Sequence, residues 1–339
     1  MEEKWLINVH DQSFQVNIGS YSSLFVNYTT SESHLIDSVV NYFQPKSKVK
    51  EAVTVKDKQN DFADVESQYM QAFQLSNEMV LEEAKIGSKS LLKQQMKHSL
   101  LNHVETDGYI QTINTLMEDL AEQALPEHPV VLKHFSVDAY LKMIEFNTGL
   151  VDQYYEETND FLTQAKVLLP IIKQYLKKSV SGKKIIFYLY PELYLSPYEQ
   201  REMKELLKQI SKDIPVFVVT KSTLFLTDQI NYQNYYIEDQ QLFTDELLEE
   251  LEWHSPLDYD ETQLKKHVES VVNKHINVFE LNPLISNYRN ADIIVFDSIS
   301  LYIVVFLFMK MDFPFRLDLK EENVDLPVYK YVMEMYEKL

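Results

Sequence analysis

Residues Lys183 to Tyr190, which open "KKIIFYLYPELYLSP", constrain the fold more than any other stretch. The run is short, apolar, and rich in β-branched and aromatic residues. Two lysines open it and Pro191 closes it. A strand buried on both faces has this composition, whereas a strand with one wet face alternates. A helical segment follows, Pro197 to Ser211, then a second apolar run, "PVFVVT". Strand, helix and strand at this spacing predict a parallel pair with a right-handed crossover. The expected fold class is therefore α/β with a parallel sheet.

Such a sheet invites a nucleotide site, and the sequence speaks against one. A P-loop needs G-x-x-x-x-G-K-[ST], whose backbone N–H groups cradle phosphates. The chain has five glycines, and Gly19, in "NIGSYSS", has no lysine after it. The central strand ends in Pro191 and Glu192, where an ATPase would offer an aspartate. Asp297 does follow an apolar run, in "DIIVFDS", but four apolar residues and an aspartate recur by chance. No nucleotide cofactor is expected. None of the nine histidines forms H-E-x-x-H, and G-x-S-x-G is absent, so the chain is not expected to be an enzyme. Cysteine is absent too, which excludes disulfides and thiolate chemistry and fits a reducing cytoplasm. "MEEKWLINVH" lacks the features of a signal peptide. The longest apolar run, Ile299 to Met309, falls short of the roughly 20 residues that span a bilayer and reads as a buried core element.

Residues 4 to 30 alternate as two strands, with Asp11 and Gln12 at the turn. Ser31 to Phe43 reads as a helix ended by Pro45. Lys46 to Lys58, "KSKVKEAVTVKDK", carries five lysines and two acids. It is either a solvated crossing or a polyanion-contacting loop formed by Lys46, Lys48, Lys50, Lys56 and Lys58. From Asp61 to Ala124 there is no proline and the apolar spacing is three to four, which predicts a projection of two or three helices with a turn at "ETDGY". Within it Lys85, Lys89, Lys93 and Lys97 recur every four residues. On one helix they would form a basic ridge roughly 18 Å long. Like charges at that spacing repel, and a phosphate backbone would offset the repulsion. Acids on a neighbouring helix, or Glu82 and Glu83 nearby, would do the same, and both readings stand. Glu118, Asp119, Glu122 and Glu127 make an oxygen-only cluster of the kind that suits Ca²⁺, or simply a charged helix end. Phe135 to Phe146 reads as a helix capped by Ser136, and Phe161 to Lys178 as one bent at Pro170.

The formal net charge is −20, which does not suit a generic polyanion binder. Residues 228–339 hold 22 acids and 9 bases, and residues 1–227 hold 30 and 23. That shift places a boundary near Thr227. The resulting plan is a head domain from residues 1–60 and 125–227, a helical leg at 61–124, and an acidic α/β extension at 228–339. "INVFEL", "DIIVFDS" and "FPFRLDL" are its strand candidates.

The order of these parts resembles the type II-A CRISPR-associated Csn-two family in its long form. The run "YLKK…KKIIFYLYPELYLSPYEQREMKELLKQI" carries the resemblance, which covers roughly residues 4–227. It implies an ABC-ATPase-like head with a degenerate P-loop, a helical leg insertion and a cytoplasmic homotetrameric ring. It also implies that linear double-stranded DNA threads the ring through its ends. Such proteins support spacer acquisition in antiviral defence, alongside the CRISPR integrase and the RNA-guided effector nuclease. Ca²⁺ sites near the leg–head junction are features of short members, which directs attention to Glu118, Asp119, Glu122 and Glu127. A ring would concentrate Lys46, Lys48, Lys50, Lys56, Lys58, Lys85, Lys89, Lys93 and Lys97 in its channel, inside an acidic shell. With only three arginines in the chain, readout of bases is not expected. A different class of function is an acidic scaffold that binds only protein partners of the adaptation complex, its lysines paired internally.

Overall fold

The computed structural model describes residues 2–9, 12–26, 32–43, 53–87, 90–124, 132–144, 161–179, 182–237, 240–242 and 244–337. The chain divides into two compact units. One comprises Met1–Leu24 and Glu32–Leu226, the other Phe25–Ser31 and Thr227–Leu339.

The first unit opens with β1 (Glu3–Val9) and β2 (Gln12–Ile18), paired antiparallel from Glu3↔Ile18 to Val9↔Gln12. The second alternating stretch does not continue as one strand. Gly19 and Ser20 interrupt it, the Gly19 N–H donating to the Ser22 hydroxyl at 2.7 Å, and β3 (Tyr21–Val26) starts in a different sheet. Helix α1 (Glu32–Tyr42) buries Ile36, Val39 and Val40, with Phe43 just beyond, and the rings of Phe43 and Trp5 lie 5.4 Å apart. The expected basic crossing is corrected over its described part. β4 (Val53–Asp57) pairs with β1 on one side and with β5 (Ala63–Asp64) on the other, burying Val53 and Val55.

A second correction falls on the stretch from Asp61, expected to be helical. Asp61 and Phe62 turn through positive φ (46° and 57°), and β6 (Met70–Ser76) is a strand parallel to β7 (Lys183–Leu189). Met70, Ala72 and Leu75 are buried there. The three-to-four spacing misleads because partners more than a hundred residues away, from Met70↔Lys183 to Ser76↔Leu189, decide the conformation. Helices begin only afterwards, with α2 (Asn77–Ala84), α3 (Leu91–Leu101), α4 (Thr106–Ala124), the short α5 (Val137–Leu141) and α6 (Phe161–Ser179), which holds Pro170 within it. The turn expected at "ETDGY" lies slightly earlier, at residues 102–105, so that Glu105 is in it while Thr106, Asp107 and Gly108 already belong to α4.

The predicted βαβ unit is present. β7 and β8 (Val216–Thr220) are parallel from Ile186↔Val216 to Leu189↔Val219, and α7 (Pro197–Ser211) connects them. The boundaries of α7 follow from local chemistry. Ser196 and Glu199 form a reciprocal capping box and Pro197 takes the first turn. Met203, Leu207 and Ile210, on one face, pack into a core with Ile186, Tyr188, Val216 and Val218, and with Leu168, Leu169 and Ile172 of α6. Every residue of β8 is buried, as are Ile185 to Tyr188 of β7. Within this unit the strand order is β3-β8-β7-β6.

In the second unit β9 (Gln233–Ile237) and β10 (Gln240–Leu242) form an antiparallel hairpin, followed by α8 (Asp245–Trp253) and α9 (Glu261–His275). "INVFEL" is not a strand but a 3₁₀ turn, Ile276–Leu281, stopped by Asn282 at φ 49°. A small parallel sheet contains β11 (Leu284–Ser286) between β12 (Ile293–Ile294) and, C-terminal to α10 (Ser298–Lys310), β13 (Arg316–Asp318). Helix α10 is the apolar run. Leu301 to Phe308 are all buried, as expected of a helix hydrophobic around its whole circumference. It packs against α9 and α11 (Leu326–Tyr336). Asp297 has a structural partner, accepting from the Ser300 N–H at 2.8 Å as the cap of α10. Among the described residues no helix is long and apolar enough to cross a membrane.

Candidate nucleic-acid interface

The lysines proposed from spacing do not share one helix. Lys85 is the C-cap of α2 and bonds Glu82 at 2.7 Å. Ile86 (φ 46°) and Gly87 then break the helical path, and Ser90 starts α3 afresh by accepting the Lys93 N–H at 3.1 Å. The expected ridge is thus corrected to the pair Lys93 and Lys97, one turn apart on α3. Lys56 lies in β4, where its register partners are Leu6 and Asp64, and the Lys58 N–H donates to the Lys4 carbonyl at 2.8 Å. Lys46, Lys48, Lys50 and Lys89 lie outside the described residues, as does Glu127.

A smaller basic group forms where α3 packs on α5. Lys97 Nζ meets Asp138 Oδ2 at 2.8 Å. The hydrogen bond from Lys97, joined by the charges of Lys97, Lys93 and Lys142, holds the Asp138 carboxyl below its ordinary range. The charges of three lysines therefore act on one carboxylate in a chain of net charge −20. The helix before them is locked to the same group. Asn114 of α4 accepts the Phe135 N–H at 2.6 Å and returns a hydrogen bond to the Phe135 carbonyl at 3.1 Å. Sequence spacing missed Lys142 and Asp138 because they join α3 through tertiary packing. The one local signal was the Ser136 cap, which is present and starts α5 by accepting from the Ala139 N–H.

Glu118, Asp119 and Glu122 are exposed on α4. Glu118 and Glu122 stand one turn apart and Asp119 is rotated about 100° from Glu118. Among the described residues no group of three or more acidic or histidine side chains is placed to hold a metal ion.

Open α/β sheets bind ligands beyond the carboxyl ends of their strands, and here hydrogen bonds within the chain link the ends of β6, β7 and β8. Asn77, the residue after β6, donates to the carbonyls of Pro191 (3.2 Å) and Leu193 (2.5 Å) and accepts the buried Tyr188 hydroxyl at 2.8 Å. Glu192 accepts the Thr220 hydroxyl at 2.8 Å and the Lys221 N–H at 2.7 Å, tying the end of β7 to the end of β8. Burial pushes its carboxyl up, against those two donors. Tyr190 and Tyr194, at φ 49° and 66°, carry the turn.

No protein-family model matches the chain, and no curated protein matches it. Among solved structures it is similar to Stu0660 of Streptococcus thermophilus, with a TM-score of 0.59 at 14% identity over 97% of this chain and 99% of that one. The two share a fold. Looser likenesses join it to an SMC head bound to the C-winged helix domain of ScpA and to MJ1267, an ATP-binding cassette of an ABC transporter. The first has a TM-score of 0.39 at 8% identity over 70% of this chain and 94% of that one. The second has 0.34 at 15% over 71% and 90%.

Proposed function

We propose that this protein binds linear double-stranded DNA through phosphate contacts, without sequence preference and without catalysis, and that it serves CRISPR spacer acquisition as a long-form Csn-two protein. The observation that carries the reading is the Lys93, Lys97 and Lys142 group around Asp138, a local excess of positive charge on an acidic chain. The sequence resemblance supplies the biological setting, with the CRISPR integrase and effector nuclease as partners. Self-association into a homotetrameric ring belongs to the same reading. It is supported by an apolar stripe on α4, where Tyr109, Ile113, Leu116 and Leu120 are 63%, 36%, 57% and 65% exposed at the spacing of a coiled-coil seam.

A second reading, a scaffold for protein partners only, is favoured by the internal pairing of Lys85 with Glu82 and of Lys97 with Asp138. Charge reversal at Lys93 and Lys142 separates the two. The DNA reading expects affinity for linear duplex to fall by at least about tenfold with the fold intact, each lost phosphate contact lowering the electrostatic term. Unchanged duplex binding by the reversed variant sinks that reading. Closed-circular plasmid binding as tightly as linear duplex of equal length sinks the threading of ends.

A further inference from the structure

We propose that Glu83 is the residue that positions the α3 lysines. The inference rests on the DNA reading for its consequence, but not for its geometry. Helix α3 starts afresh after the helical path ends at Ile86, and the first N–H groups of any helix have no partner within it. Here they are met from the preceding helix. Glu83 of α2, 7% exposed, accepts the Leu91 N–H on Oε1 at 2.8 Å and the Leu92 N–H on Oε2 at 3.0 Å. The Ser90 hydroxyl donates to the same Oε2 at 2.6 Å while accepting the Lys93 N–H at 3.1 Å. A carboxylate in this place also meets the positive end of the helix dipole.

Helix α3 also packs on α5, α6 and α4, but Glu83 is what fixes its first turn. Leu92 is its one fully buried residue, sharing a core with Val80 of α2 and Leu162, Ala165 and Leu169 of α6. Farther along, Lys97 and Asp138 form an exposed ion pair, and such pairs contribute little. The buried carboxylate and Leu92 therefore anchor the first turn of the helix on which Lys93 and Lys97 stand. Glu83 sits on a helix that begins directly at the end of β6, so the lysines are referred through it to the parallel sheet.

The test compares Glu83→Ala and Glu83→Gln with the milder Ser90→Ala, which leaves the two N–H contacts of Glu83 in place. Amide hydrogen exchange is followed in the DNA-free protein, and affinity for a linear duplex at several salt concentrations. Exchange across residues 91–101 is expected to speed up by about tenfold or more in Glu83→Ala, less in Glu83→Gln and least in Ser90→Ala, while β7 and β8 keep their protection. Duplex affinity should weaken in the same order with the log–log salt slope retained, because no cation has been removed. Unaltered exchange in α3, or equal acceleration in β7 and β8, overturns the proposal. Wild-type protein that binds no duplex overturns the DNA reading instead, and the exchange pattern then decides the role of Glu83.

Discussion

Glu192 shows how one side chain at the sheet edge couples stability to pH. Its carboxyl titrates above the ordinary 4.5 because burial disfavours the charged form, although Thr220 and Lys221 donate to it. Between 4.5 and the raised value the folded chain holds a proton that the unfolded chain has released. Stability from this group is therefore complete below 4.5 and declines as pH rises through the folded value. Glu192→Gln does not titrate. Melting temperatures measured from pH 4.5 to 7.5 should show the wild type losing ground to Glu192→Gln as pH rises. A constant gap would remove the assignment. Asp213, held down to about 2 by hydrogen bonds from Lys173 and Lys177, acts in the opposite sense and only below its ordinary 3.8, so the two windows do not overlap.

At the scale of elements, α4 carries the clearest unmet requirement. Four large apolar side chains in a heptad-like stripe lie exposed, and burying such a stripe against a like surface stabilises association by about 25 cal/mol per Å². Leu116→Asp with Leu120→Asp should lower the particle mass in solution while leaving circular dichroism unchanged; an unaltered mass removes α4 from the interface. Which elements could be read from sequence follows the range of the forces that make them. β7, α7 and β8 were legible because the apolar run, the Ser196–Glu199 box and Pro197 act within a few residues. β6 was not, since seven residues with two glutamines among them become a strand only beside β7. The basic ridge failed for a related reason. Spacing alone assumes a continuous helix, and Ile86 with Gly87 ends it. The Asp138–Lys142 side of the basic group had only the Ser136 cap as a local signal, and the Glu83 contacts had none.

For the whole molecule the governing quantity is charge. A chain at −20 repels a duplex at long range, so binding through a few lysines should respond steeply to ionic strength. The log of the association constant should fall linearly with log salt, by about 0.9 for each phosphate contacted. A flat response between about 50 and 200 mM salt would exclude phosphate contacts as the source of affinity. The division into units bears on the acidic extension in another way. Phe25–Ser31 belongs with Thr227–Leu339; Phe25 and Val26 are buried, and the Phe25 ring meets that of Tyr235. An appendix added at the end of a gene can be deleted by an earlier stop codon. This extension is stitched into the chain near its beginning, so a messenger ending at codon 226 would encode not a trimmed protein but one with a bare seam. During translation, Phe25 leaves the ribosome some two hundred residues before Tyr235, the ring it is built to meet.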